Sequence, residues 1–343
     1  MKYSHEHTNE SHKELIDKIY DGYVPKPEEL GPLLEGIADE YLFQKADEMC
    51  FSKKGREVQI RAILEFSNYC RCKCIYCGLN CNNQETMRYR IEPCEIVKTS
   101  VEAWEAGYKT IVLQSGEDLF YSEEIICAAV REIKEKCDIS ITLSIGERPY
   151  RELKAMREAG ADRFLLKHET SDEALYTSLH MGDMLRDRIA CLRDIKSLGY
   201  ETGGGFMIGI PEQTLAIIAR DIILLREIGC DMAGIGPFIA HEDTPLRGSA
   251  NGQPLLTRRA VALTRLLLPM SNLPATTSLG VLDPKERDLV FSSGANVIMR
   301  KVTPWSERVK YEIYPTNFGE NKDIQTARKE LEEYVISLDR IPV

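Results

Sequence analysis

No window of the sequence approaches the ~18 consecutive apolar residues of a membrane-spanning helix, which excludes that class of membrane protein. The N-terminal residues MKYSHEHTNESHKEL lack an apolar core of the kind a secretion signal carries, so the expected compartment is the cytoplasm. Positive charge is in deficit: Lys+Arg 44 against Asp+Glu 54 gives a net charge of −10. That argues against nucleic acid as a partner, since such affinity comes mainly from Lys and Arg on phosphate. Also missing is a second C-x2-C or an H-x3-H to complement the knuckle Cys74-x2-Cys77, which a zinc site of paired knuckles would need. Gly203-Gly204-Gly205 does not have the G-x-G-x-x-G spacing of a dinucleotide fingerprint. Neither a low-complexity stretch nor a repeat beyond alternating strand and helix is present.

Cysteine, by contrast, is plentiful: 11 in 343 residues. Five of them fall within Cys70-Arg-Cys-Lys-Cys-Ile-Tyr-Cys-Gly-Leu-Asn-Cys81. In a chain without a secretion signal disulfides explain this poorly, and crowded thiols in a reducing compartment point to metal or redox chemistry. Cys50, Cys94, Cys127, Cys137, Cys191 and Cys230 are isolated on helical stretches or their ends and read as buried structural thiols.

The length permits two ordinary domains or one large α/β barrel. Residues 1–56 read as a polar helical cap, with the first ten or so residues loose and His5, His7 and His12 in a solvated tail. From residue 57 short apolar runs alternate with amphipathic helical stretches. The runs are 58–67, 110–116, 140–146, 163–169, 202–210, 232–239, 275–280 and 295–304. Repeated βα units with near-continuous apolar strands imply a parallel sheet covered by helices, and this number of them points to a full, closed (β/α)8 TIM-type barrel over 57–320. An open doubly wound sheet is the alternative. The segment 321–343 places Ile324, Ala327, Leu331, Val335 and Leu338 on one face of a C-terminal helix packed on the barrel, leaving Arg328, Lys329, Glu330, Glu332 and Glu333 solvated.

The cysteine segment follows the first strand, and loops after strands form the active-site face of such barrels. Cys70-x3-Cys74-x2-Cys77, with aromatic Tyr76 before the last cysteine, resembles the radical S-adenosylmethionine (SAM) superfamily. Three thiolates on a [4Fe–4S] cube leave one iron open for a ligand, as a catalytic centre requires. The resemblance implies that SAM chelates this iron and is cleaved reductively to a 5′-deoxyadenosyl radical. It makes Cys70, Cys74 and Cys77 the cluster ligands, and Cys72 and Cys81 bystanders. Zinc or a purely structural cluster is the bland reading of the same thiols.

The blocks IRAILEFSNYCRCKCIYCGLNCNNQ, TIVLQSGED, ITLSIGE, AGADRFLLKHET, DMAGIGPFIAHEDTPL, NLPATTSLG and GANVIMRKVTP extend the similarity over about residues 58–315. They resemble the HydE family, the radical SAM maturases of [FeFe]-hydrogenase. Methylornithine synthase and biotin synthase are its relatives and the competing readings; a non-catalytic iron–sulfur carrier is the reading from another class. Some family members carry three more cysteines near the C-terminus; no cysteine follows Cys230 here, so one cluster is expected.

The family resemblance implies SAM contacts at Tyr76, at Gln114-Ser115-Gly116-Glu117, at Glu169 and, for the SAM carboxylate, at Arg188. The loop Gly209–Thr214 resembles the one that faces adenine in this superfamily. It implies a cavity closed by Met232, Met299, Tyr311 and Tyr314, a cysteine-bound Fe(CO)2(CN) substrate, the companion maturases HydG and HydF, and an electron donor such as ferredoxin or flavodoxin. The residues themselves add that Arg61, Thr142, Ser144, Arg163, Lys167, His168, Thr276 and Thr277 are polar within expected strands. A charge there needs a partner. Together they suggest a cationic, hydroxyl-rich interior suited to anions or to metal-bound cyanide and carboxylate. Alternation puts Thr142 and Ser144 on one face, whereas Thr276 and Thr277 cannot share one without a bulge.

Overall fold

The long strand β1, Glu57–Ser67, is buried without interruption from Ile60 to Ser67 and stands inside the sheet. The other strands are β2 (Thr110–Ser115), β3 (Ser140–Ser144), β4 (Arg163–Leu165), β5 (Glu201–Ile208), β6 (Met232–Pro237), β7 (Val297–Lys301) and β8 (Ile341–Pro342). Their order is β6-β5-β4-β3-β2-β1-β7, all parallel, and β8 pairs with the start of β1 at Glu57 and Val58. These come from a computed structural model that describes residues 2–316 and 319–343, and residues 2–9 by backbone only.

Parallel strands need crossovers, and amphipathic helices supply them: Pro93–Glu105, Glu123–Lys136, Tyr150–Glu158, Leu185–Ser197 and Leu215–Ile228. Their starts are marked by local chemistry. Ser122 and Thr214 each accept a hydrogen bond from the backbone N–H three residues on, as does Asp172 before the short helix Glu173–Leu179. The two-residue pleat sorts side chains on β1. Ile60, Ala62, Leu64 and Phe66 pack outward in the main hydrophobic core, whereas Arg61, Ile63 and Glu65 face an interior cavity.

The sheet is a partial barrel, not the full closed (β/α)8 barrel that eight apolar runs suggest. The expected strand at 275–280 is absent: Thr277–Leu282 is helical, with Thr276 as its extended N-cap residue. In its place Asn272 and Pro274 make one isolated bridge each, to Met232 of β6 and Val297 of β7. Pro274 has no N–H to extend a ladder. Buried Arg265 fixes this crossing segment by donating to the carbonyls of Pro269, Ser271 and Gly294 and to Asn296 Oδ1. The expected run 163–169 also stops early, at Leu165, and pairing with β5 resumes only as one bridge, from Glu169, whose φ is 65°, to Phe206. β8 is too short to show as an apolar run.

Three helices, Lys2–Tyr20, Pro27–Glu35 and Asp39–Lys54, precede β1. The first extends through the segment expected to be loose; the side chains of His5 and His7 lie outside the described residues. On the C-terminal helix, Ile324–Ser337, Ala327, Leu331 and Val335 are buried as the periodicity requires. Arg328 is not solvated as expected: it is 5% exposed and donates to Ile60 O and Glu332 Oε1. Among the described residues no helix is long and apolar enough to cross a membrane.

Candidate active site

The chain between β1 and the helix Pro93–Glu105 carries the cysteine cluster with almost no regular structure of its own. Its shape is imposed by two side chains that the sequence reading did not single out. Arg88 donates to four carbonyls, those of Asn68, Leu79, Asn80 and Asn83. Asn68, fully buried at the end of β1, donates to Met87 O and Lys310 O, both at 2.8 Å, and accepts from Tyr89 N–H at 2.7 Å. Backbone hydrogen bonds complete the anchoring: Arg71 N to Glu117 O, Ile75 N to Leu179 O, Gly78 N to Ile313 O and Cys81 N to Cys72 O.

Cys70, Cys72, Cys74 and Cys77 are partly exposed on this loop, and Cys81 is exposed. The Cys72 thiol lies between those of Cys70 and Cys74, and it raises the Cys70 pKa more than burial does. Burial pushes the Cys77 thiol up to about 12. Cys70, Cys72 and Cys77 are thus held as thiols, and iron binding to Cys70 and Cys77 would release their protons. Cys70 Sγ accepts the Glu117 backbone N–H at 3.3 Å. A Cβ on Gly116 would collide with the Tyr69 carbonyl and lie 2.8 Å from Cys70 Cβ, so only glycine lets the end of β2 approach the thiol so closely. Among the described residues no three His, Cys, Asp or Glu side chains converge on one metal ion. An iron–sulfur cube does not require it, because each thiolate binds its own iron. Thiol donors with a backbone N–H aimed at sulfur fit such a cluster.

Beneath the loop lies a cavity of about 280 Å³. Arg61, Thr142, Lys167, Met232, Thr276, Thr277, Met299, Tyr311 and Tyr314 line it, as do Tyr76, Gln114 and Glu169. Arg61 is 4% exposed and, among the described residues, has no carboxylate partner. Its guanidinium donates to Gln59 Oε1 at 2.7 and 3.2 Å and contacts Met232 Sδ at 3.1 Å. Burial, with Arg163 nearby, lowers its pKa to about 10, so it stays charged. Thr142 Oγ1 is buried and has no hydrogen-bond partner among the described residues. Lys167 is paired within the wall, its Nζ 2.8 Å from Glu169 Oε2. A second wall pair, Glu65 with Lys301 at 2.8 Å, escaped the sequence reading although Glu65 shares the pleat face of Arg61. Tyr311 receives a hydrogen bond from Gln114 Nε2 at 3.0 Å.

Several expected members are placed elsewhere. Arg163 does not line the cavity: it opens β4 and pairs with Glu201 at 2.6 Å while donating to Thr110 Oγ1. Ser144, at the end of β3, is not in the lining either. Thr276 and Thr277 both face the cavity without a bulge because they begin a helix instead of continuing a strand. His168 is fully buried away from it, 3.6 Å from Asp221.

Ser115, Gly116 and Glu117 sit above the cavity against the cysteine loop. Glu117 Oε1 accepts Arg71 Nε at 2.7 Å and its Oε2 accepts the Glu147 N–H at 2.9 Å. Arg188 is buried but already engaged, 3.0 Å from Glu147 Oε1 and 3.2 Å from Tyr176 Oη. Glu147 therefore occupies the guanidinium that the resemblance assigns to a SAM carboxylate. Burial raises the Glu147 pKa, with Arg188 opposing. Glu169, in its left-handed turn, presents its carboxylate to the cavity beside Tyr76.

Residues 64–225 match the model of the radical SAM superfamily. The chain is 48% identical over 277 residues, 81% of this chain and 79% of the relative, to the [FeFe] hydrogenase maturase subunit HydE of Thermotoga maritima. It is 30% identical to 3-methylornithine synthase of Methanosarcina barkeri, over 93% of this chain and 91% of that one. Among solved structures, methylornithine synthase superposes with a TM-score of 0.84 at 26% identity, covering 96% of this chain and 97% of that chain. The maturase HydG of Carboxydothermus hydrogenoformans gives 0.82 at 19% identity over 99% and 81%, a likeness of fold. The cysteine loop, the partial barrel and these relatives agree: the chain belongs to the HydE family of radical SAM enzymes, which use a [4Fe–4S] cluster and SAM.

Proposed function

We propose that this protein acts in [FeFe]-hydrogenase maturation, using SAM at the cysteine loop to transform a cysteine-bound Fe(CO)2(CN) unit in the cavity below. In this reading Cys70, Cys74 and Cys77 hold the cluster, and the bound cluster and SAM together supply a 5′-deoxyadenosyl radical. Tyr76, Gln114 and Glu169, which line the top of the cavity, orient SAM; Ser115, Gly116 and Glu117 hold the loop against β2 beside it. Arg188 contributes by holding Glu147 and Tyr176, and turns to SAM only if Glu147 releases it. The unit 57–320 carries the chemistry, with the helices of 1–56 and the helix and short strand of 321–343 packed on it.

The observation that carries the substrate half of the proposal is Arg61. A buried cation without a protein carboxylate is costly unless a ligand meets it. Here it faces a cavity whose other cations, Lys167 and Lys301, are paired with Glu169 and Glu65. An anionic or cyanide-bearing ligand supplies the missing partner, and the orphaned Thr142 hydroxyl has a lone pair and a proton to offer it. HydG would supply the substrate, HydF receive the product, and a ferredoxin or flavodoxin deliver the electron. The cytoplasm is the compartment that fits these partners.

The test is anaerobic. Cluster-loaded protein is given SAM and dithionite with either the HydG-made iron–cysteine product or lysine. Faster 5′-deoxyadenosine formation with the iron–cysteine compound alone supports the proposal. Turnover of lysine would assign the chain to methylornithine synthase chemistry. A loaded cluster that never cleaves SAM would mark a carrier.

A further inference from the structure

We infer that His180 is a positioning residue for Tyr76, and through it for the cysteine loop and the SAM that the loop receives. The inference rests on the proposed role of Cys70, Cys74 and Cys77 as cluster ligands.

His180 follows the short helix Glu173–Leu179, which comes directly after the Glu169 turn. Its backbone forms an antiparallel bridge with Cys74, and Ile75 N–H donates to Leu179 O at 3.0 Å. The side chains add a second link. Tyr76 Oη lies 2.9 Å from His180 Nε2, and His180 Nδ1 lies 3.0 Å from the Tyr176 carbonyl. A carbonyl only accepts, so Nδ1 carries the proton. Neutral imidazole then leaves Nε2 as an acceptor, and the Tyr76 hydroxyl must be the donor. The ring is fully buried.

The imidazole has little freedom to move. It stacks on Tyr176 with ring centroids 4.0 Å apart and planes at 18°, and Arg188 Nε fixes the Tyr176 hydroxyl from the far side. Tyr76 meets the same imidazole edge-on at 5.4 Å. A tyrosine whose hydroxyl and ring edge are both committed to a locked partner keeps one face toward the cavity, where it sits beside Glu169. The turn after β4 thus sets both Glu169 and Tyr76, so the two walls that would flank SAM are positioned by one segment. A histidine buried for packing alone would need neither the Tyr76 bond nor the fixed tautomer.

The experiment compares wild type, His180→Phe, His180→Gln, Tyr76→Phe and the double variant H180F/Y76F as cluster-loaded full-length protein. Each is read by iron content, by the equilibrium SAM affinity, and by the electron paramagnetic resonance spectrum of the reduced cluster with and without SAM. His180→Phe keeps the ring and removes the acceptor; the glutamine carbonyl restores an acceptor. The expected result is a roughly tenfold weaker SAM affinity in His180→Phe and in Tyr76→Phe, no further loss in the double variant, and affinity near wild type in His180→Gln. The spectrum should change in the SAM-bound state only. Wild-type SAM affinity in His180→Phe, or losses that add in the double variant, would overturn the inference. Should His180→Phe fail to load iron, loading by His180→Gln supports it and failure by both overturns it. A wild type that loads no cluster would instead remove the cluster assignment on which the inference rests.

Discussion

The cysteine loop and the cavity beneath it are built by opposite means. The loop is irregular chain pinned mainly through its backbone: Arg88 and Asn68 together engage six carbonyl oxygens. The cavity is walled mainly by regular strands whose backbone is consumed by the sheet, so most of its character comes from side chains on one pleat face, completed by Tyr76, Thr276, Thr277, Tyr311 and Tyr314 from a loop, a helix start and the chain after β7. The loop can therefore offer sulfur at fixed positions whatever lies below. The cavity can change its ligand by exchanging single residues without disturbing the loop. Separation of this kind is what a family with one shared cofactor chemistry and many substrates requires.

Arg88→Gln should strike this separation hardest. It removes charged hydrogen bonds from several carbonyls at once, at a cost of about 3 kcal/mol, and iron content should fall with the melting temperature. Arg61→Met should do the reverse. The fold should keep its stability or gain some, because an unpaired buried charge is removed, while affinity for the iron–cysteine substrate measured by equilibrium binding drops on the order of a hundredfold. Thr142→Val, which deletes an orphaned hydroxyl of similar size, should leave thermal stability unchanged and weaken substrate binding about tenfold.

The smallest effect concerns pH. Burial raises the Glu65 carboxyl pKa above the ordinary carboxylate range, with Lys301 opposing. The folded chain then holds this proton more tightly than the unfolded one. Its contribution to stability is present below the ordinary carboxylate range and declines as pH rises through the raised value. Glu65→Gln should flatten the corresponding part of a chemical-denaturation profile against pH.

What could be read from the sequence followed from local spacing. Cys70, Cys74 and Cys77 are separated by a few residues, and strands β1 to β3 are long enough to display their apolar runs. The loop anchor Arg88 is as close in sequence, but nothing in its surroundings distinguishes an arginine that binds carbonyls from one on the surface. Arg163 was misplaced because a strand pattern shows which face a residue takes, not how far along the barrel axis it lies; it sits at the opening end of β4 with Glu201. The closed barrel was misjudged at 275–280, where β-branched Thr276 and Thr277 suit a strand but Pro274 just before them cannot extend a ladder. Arg188 and Glu147 show the remaining limit: partners distant in sequence meet only when the loop after β3 and the helix Leu185–Ser197 are packed.

The most direct measurement is the yield of 5′-deoxyadenosine from SAM and dithionite, without substrate, by wild type, Arg61→Met and Cys74→Ala under anaerobic conditions. Wild type and Arg61→Met should give equal product and Cys74→Ala none, since Cys74 holds the cluster that cleaves SAM whereas Arg61 meets only the substrate. Product surviving in Cys74→Ala, or lost in Arg61→Met as fully as in Cys74→Ala, would contradict it.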